Sequence, residues 1–125
     1  MATLNKLTPF VVVSDMADSI SFFQDILGFS VRLHVEGYAY LSRDSVAIRL
    51  ILADSEKDLN SPNSQQHCYI DVTGSDELYD ELEPRLRALS KGRVKAPFDT
   101  QYGQREFHVI DPDALLISFG ERTQT

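Results

Sequence analysis

Apolar positions follow two rhythms along this chain, alternation in some stretches and helical spacing in others, and the order of those stretches repeats. Phe10 to Val13 is a short apolar strand entered through Pro9, whose missing N–H is tolerated at a strand start or edge. Asp15 then stands as a helix N-cap, with Asp18 in the first turn, where a carboxylate suits the helix dipole. Met16, Ile20, Phe23 and Leu27 follow at helical spacing, and Gly28 stops the run. Val31 to Val35, Tyr38 to Leu41 and Val46 to Leu52 read as strands, separated by turns at Glu36-Gly37 and Arg43-Asp44. The order predicted is βαβββ.

Residues 53–66 are polar, rich in Asp, Ser and Asn, and read as a surface linker. The order then begins again. His67 to Val72 is a strand, and Ser75 or Asp76 can cap a helix bearing Leu78, Leu82, Leu86 and Leu89. Pro84 falls inside that pattern and predicts a kink or an early break. Strands follow around Arg93 to Lys95, from Arg105 to Ile110 and from Leu115 to Phe119. Between the last two, Asp111-Pro112-Asp113 makes a tight turn: proline presets φ, and the aspartates can accept from nearby backbone N–H groups. Val13 and Val72 hold equivalent places, each ending a strand before a capped helix, so the chain reads as an internal structural repeat with little side-chain identity. The fold class expected is α+β. Two βαβββ modules, at 7–52 and 67–120 within one domain spanning 1–125, form curled mixed sheets with a helix on each outer face.

Composition narrows the function classes. A chain of 125 residues with 42% hydrophobic content is long enough to bury a core, and no apolar run approaches the ~20 residues of a membrane helix. Nineteen acids against twelve bases, net −7, argue against general nucleic-acid binding and favour a cationic ligand, although solubility alone also accounts for the charge. One cysteine excludes an internal disulfide framework, and Met1 to Lys6 lacks the charged and apolar regions of a secretory leader, so a cytoplasmic location is expected. Gly-rich phosphate loops and serine elbows are absent, which sets aside nucleotide binding and serine-hydrolase chemistry.

Strand parity picks out a second, polar face. Val46, Ile48, Leu50 and Leu52 share the side expected to pack on the helices, leaving Ala47, Arg49 and Ile51 opposite. Cys68, Ile70 and Val72 make an apolar face, with Cys68 read as a buried, inert thiol, and His67, Tyr69 and Asp71 point away. Phe107 and Val109 alternate with Glu106 and His108, and Ile117 and Phe119 flank Ser118. Arg49, His67, Tyr69, Glu106, His108 and Ser118 therefore suggest a concave binding groove, with Tyr38, Tyr40 and Tyr102 as further wall candidates. Bland roles stand beside these: His67 bonding a neighbour, Arg49 and Glu106 pairing as a structural ion bridge, Tyr38 and Tyr40 packing in a core or against a partner.

Several stretches carry a family resemblance in their order and spacing. Leu7-Thr8-Pro9 leads the first strand, Val13-Ser14-Asp15-Met16 runs into Ser19-Ile20-Ser21-Phe22-Phe23, and Ile26-Leu27-Gly28-Phe29 follows. Gly103-Gln104-Arg105-Glu106-Phe107 runs into Asp111-Pro112-Asp113. The chain resembles the vicinal oxygen chelate superfamily of glyoxalase I, extradiol dioxygenases and bleomycin resistance proteins, and most resembles the bleomycin resistance branch. In metal-using members four ligands come from the first and last strands of each half. Carried over, those seats fall on Thr8, Arg49, His67 and Ser118, of which only His67 matches, so no metal cofactor is expected. Ala114 and Leu115 also stand where Gly and Asn are common, and the tryptophan of several bleomycin-binding relatives is missing. The resemblance implies a homodimer whose subunits form ligand grooves between them, with the first strand exchanged near Pro9, and a non-catalytic protein that sequesters a cationic or aromatic small molecule. The alternative it leaves is a glyoxalase- or dioxygenase-like enzyme with a displaced metal or none, using His67 and Glu106 as acid and base and Arg49 to hold an anionic substrate.

Overall fold

The computed structural model describes residues 1–54 and 66–123, and most of the expected 53–66 linker lies outside the described residues. The first half runs β1 (Phe10–Val13), α1 (Met16–Ser21), β2 (Ser30–Val35), β3 (Tyr38–Arg43) and β4 (Val46–Leu52). The second runs β5 (His67–Asp71), α2 (Ser75–Leu86), β6 (Val94–Asp99), β7 (Gln104–Ile110) and β8 (Leu116–Arg122). Each half builds a four-stranded mixed sheet, ordered β1-β4-β3-β2 and β5-β8-β7-β6. First and last strands pair in parallel, and all other pairings are antiparallel. The α+β architecture and the repeat expected from the pattern are both present, and the repeat lies in backbone topology.

The helix ends follow different rules in the two halves. Asp15 caps α1 locally, its carboxylate accepting the Asp18 N–H at 3.0 Å. α1 then widens into a π-helical turn over Phe22–Ile26, where the spacing predicts one regular helix. The extra residue in that turn lets adjacent Phe22 and Phe23 both enter the core, edge to face at 5.1 Å. Gly28 closes the turn at φ +78°, with the Phe29 N–H returning to the Phe23 carbonyl. α2 departs from expectation at its start: neither Ser75 nor Asp76 caps it. The cap comes from Glu121 on β8, which accepts from the Gly74 N–H, the Ser75 N–H and the Ser75 hydroxyl at 3.0, 2.7 and 3.0 Å. Pro84 sits in the last turn, and α2 ends at Leu86, so Leu89 falls beyond it. β6 runs further than the sequence suggested; it is an edge strand whose Pro97 coincides with a break in register between Lys95 and Phe98.

Apolar side chains of both halves meet in one cluster that includes Val13, Phe23, Leu41, Leu50, Leu82, Phe107, Val109 and Ile117. Each such side chain removed from water contributes about 1.5–3 kcal/mol before entropy is counted. Leu52 is the exception to its predicted parity: it ends β4 and is 48% exposed. Among the described residues, three hydrogen-bonded side-chain ties join the halves. The Gln66 amide pairs with the Val12 N–H and carbonyl, acting as a strand would on the edge of β1. Asp113 accepts from the Ser14 N–H and hydroxyl, and Arg43 spans from the Leu27 carbonyl at the end of the first helical segment to Glu81 on α2. Among the described residues no helix is long and apolar enough to cross a membrane.

Candidate functional site

With one face of each sheet given to the core and helices, the opposite faces carry the predicted site residues. In the second sheet Phe107, Val109, Ile117 and Phe119 are buried in the core, so the pleat turns Glu106, His108 and Ser118 to the other side. Strand register then sets neighbours. Tyr69 lies opposite Ser118 and Ser118 opposite His108; one row on, Asp71 lies opposite Gly120, Gly120 opposite Glu106, and Glu106 opposite Phe98.

Glu106 organises this wall. Its side chain is buried, yet Tyr102 and Tyr69 donate to Oε1 at 2.7 and 3.1 Å, and His108 meets Oε2 at 2.6 Å. Burial pulls its pKa up, but the hydrogen bonds from His108, Tyr102 and Tyr69 together outweigh that and leave the carboxyl below its ordinary value. The phenols answer in the opposite sense. Burial raises the Tyr69 pKa, with the bond to Glu106 adding to it and one from Gln104 opposing it, and the bond to Glu106 raises that of Tyr102. His108 also sets its ring edge to face against Phe98 at 5.2 Å. His67 stands beside Ser118, Nε2 to Oγ 3.4 Å. The surface offered outward is two tyrosine rings, with Tyr102 67% exposed, over a saturated carboxylate.

Tyr38, Tyr40 and Arg49 form a separate wall on the first sheet. The Arg49 guanidinium donates to the Tyr38 hydroxyl and lies over the Tyr40 ring at 4.7 Å. Lys6 adds a second cation, donating to the Tyr40 hydroxyl at 3.1 Å, and that bond draws the Tyr40 pKa down. Around them Phe10, Leu33, Val35 and Ile51 are all exposed.

Sequence parity chose the faces but joined residues that the chain keeps on two sheets. The suggested Arg49–Glu106 bridge does not form, because Arg49 is engaged by tyrosines of its own sheet and Glu106 by donors of the other. Of the four family metal seats, His67 and Ser118 are neighbours, while Thr8 and Arg49 belong to the first half. One imidazole, two hydroxyls and a permanent cation do not fit a divalent ion. Cys68 is half-buried, and burial first, then nearby Asp111, pushes its thiol up to about 11, away from the reactive thiolate. Gln104, Lys6 and Gly120 were missed. Gln104 donates to the Tyr69 hydroxyl at 2.9 Å, a contact decided across strands. Gly120 has no side chain for parity to place.

Known proteins share this layout. The model of the Glyoxalase/Bleomycin resistance protein/Dioxygenase superfamily matches residues 3–119. Bleomycin resistance proteins of Geobacillus stearothermophilus and Staphylococcus aureus are each 32% identical over 130 aligned positions, covering 94% of this chain and 96% of theirs. A bleomycin-binding protein complexed with bleomycin superposes with a TM-score of 0.78 at 22% identity, over 95% of this chain and 99% of that one. Another, from bleomycin-producing Streptomyces verticillus and complexed with copper(II)-bleomycin, gives 0.76 at 23% identity over the whole of both chains. A likeness at that level of identity speaks to fold; the match over nearly the full length and the 32% identity decide the family, and this chain belongs to the glyoxalase/bleomycin resistance protein/dioxygenase superfamily.

Proposed function

We propose that this protein binds and sequesters a small cationic or aromatic molecule of the bleomycin type, without turnover, in a groove at a homodimer interface. The observation that carries the reading is the second-sheet wall, where Tyr69 and Tyr102 are held by one buried carboxylate and offer their rings outward. Exposed phenol faces suit flat or cationic groups, and the net charge of −7 favours a cation at long range. The names of the relatives supply the drug class. Residues 1–125 would act as one domain, with Tyr38, Tyr40, Arg49, His67, His108 and Ser118 completing the walls.

What one chain leaves uncovered supports the dimer reading. Phe10, Leu33, Val35 and Ile51 form an apolar sheet face in water, and Leu4 and Leu7 of the amino-terminal arm are exposed as well. A second subunit covering that face brings a first-sheet wall against a second-sheet wall, and exchange of the segment near Pro9 is the natural linkage. The enzyme alternative is disfavoured by Glu106 itself, whose two oxygens are already engaged and leave little room to accept a substrate proton.

Calorimetric titration of bleomycin into the purified protein tests the binding. Saturable binding that weakens by about tenfold or more in Tyr102→Ala is expected; no binding to bleomycin and related glycopeptides overturns the drug assignment. Light scattering at micromolar protein tests assembly, and a monomeric mass sinks the dimer.

A further inference from the structure

Gly120 lies under the site rather than in it, and its neighbourhood is unusual for a strand glycine. A Cβ built there would stand 2.0 Å from the Tyr69 hydroxyl oxygen, 2.8 Å from the Tyr69 ring carbon that bears it and 2.9 Å from the Glu106 Cβ. No real side chain tolerates such approaches. Gly120 has no positive φ, so turn geometry does not call for glycine here. Its register does: it sits between Asp71 on β5 and Glu106 on β7, on the face that carries Tyr69 and Ser118. Tyr69 starts one row away and leans across β8 to reach Glu106 and Gln104, passing through the space a side chain at 120 would fill.

We infer that Gly120 is a specificity-determining residue of the groove: its missing side chain lets Tyr69 lie flat across β8, which places the phenol on Glu106 and sets the width of the cleft on the second-sheet wall. With any larger residue at 120, the Tyr69 ring must swing outward into the cleft, leaving Glu106 one donor short and narrowing the space above. The ligand admitted is then one that presents a flat face to the Tyr69 ring, and a glycine-to-alanine exchange is enough to change which ligands fit. This inference rests on the groove reading for its consequence in binding, but the placement of Tyr69 by Gly120 stands apart from it.

The test is a double-mutant cycle on Gly120→Ala and Tyr69→Ala, read by bleomycin affinity and by titration of the Tyr69 phenol, identified through its loss in Tyr69→Phe. Expected in Gly120→Ala is a Tyr69 phenol that titrates nearer the ordinary tyrosine value, with bleomycin affinity lowered about tenfold. In the Tyr69→Ala background the same exchange should change affinity by no more than about twofold, the remainder reflecting Glu106 Cβ. An unchanged Tyr69 titration in Gly120→Ala overturns the inference, and so do additive losses in the cycle. Should the wild-type protein bind no bleomycin, the groove reading falls while the phenol titration still decides the role of Gly120. Should Gly120→Ala fold poorly, the inference requires the double variant to be the more stable of the two in urea unfolding, because truncating Tyr69 relieves its clash while Glu106 Cβ remains; equal stability is equally fatal.

Discussion

The two sheets share strand order and pairing sense, yet their free faces have opposite chemistry. The first is cationic and apolar: Arg49 and Lys6 lie on tyrosines in a field of exposed Phe10, Leu33, Val35 and Ile51. The second is built on a buried anion, with Glu106 ringed by Tyr69, Tyr102 and His108. Equivalent backbones have thus been given different tasks. On the first wall Lys6 is exposed and Arg49 half-buried, each over the Tyr40 ring, whereas on the second a buried carboxylate with three donors fixes those donors in place. The same division appears at the helix ends, where α1 is capped by Asp15 next door and α2 by Glu121 of β8, 46 residues along the chain.

The sharpest way to break the comparison is to remove the anion. Glu106→Ala removes the acceptor of three hydrogen bonds, and we expect a loss of about 3 kcal/mol in urea unfolding, against about 1 kcal/mol for Arg49→Ala, which loses one bond to Tyr38. Equal losses would erase the distinction between the two walls.

Next in size is a pH effect confined to the second half. Burial foremost, with the nearby Asp113 charge adding, pushes Asp111 up to about 6 against the pull of backbone N–H bonds from Leu115 and Asp113 and of Arg93. Among the described residues, one of its oxygens is buried without a partner. Its folded pKa thus exceeds the unfolded 3.8, so the fold holds that proton more tightly than the unfolded chain does. The stabilisation is present below about pH 4 and is lost as pH rises through about 6. Wild-type stability measured against Asp111→Asn should therefore fall by on the order of 2 kcal/mol between those limits. A flat difference would show that the carboxyl is not strained.

The caps sharpen the contrast further. Glu121→Ala removes three bonds that join α2 to β8 and should lower the denaturation midpoint more than Asp15→Ala, which removes one local bond and should cost about 1 kcal/mol. The smallest effect concerns the hairpin turns. Asp44 and Ala114 both adopt left-handed φ, +51° and +69°. Aspartate tolerates that region and alanine does not, so Ala114→Gly should stabilise by about 0.5 kcal/mol while Asp44→Gly gains nothing measurable.

Much of this was legible in the chain. Alternation and helical spacing predicted the elements of both βαβββ units in order, because burying one face of a strand or helix imposes its period on the residues. Asp111 was expected to accept backbone N–H groups, and it takes those of Asp113 and Leu115, both at 2.8 Å. Parity also placed Glu106, His108, Tyr69 and Ser118 on the face away from the core, which is where they lie. The π-helical turn was not legible, since period alone does not register one extra residue at the end of a short helix. Nor were the Glu121 cap and the Asp113–Ser14 tie, whose partners stand 46 and 99 residues apart.

Local periodicity, turn chemistry and capping residues determined the elements, their order and the faces they bury, since each depends on neighbours a few positions away. Only the tertiary structure decided that Arg49 and Glu106 belong to different walls, and that Glu106 gathers two tyrosines and a histidine. It alone gave meaning to Gly120, whose place is defined by a Tyr69 ring arriving from another strand. Those are distances between residues far apart in the chain, and they are set by how sheets pair and pack.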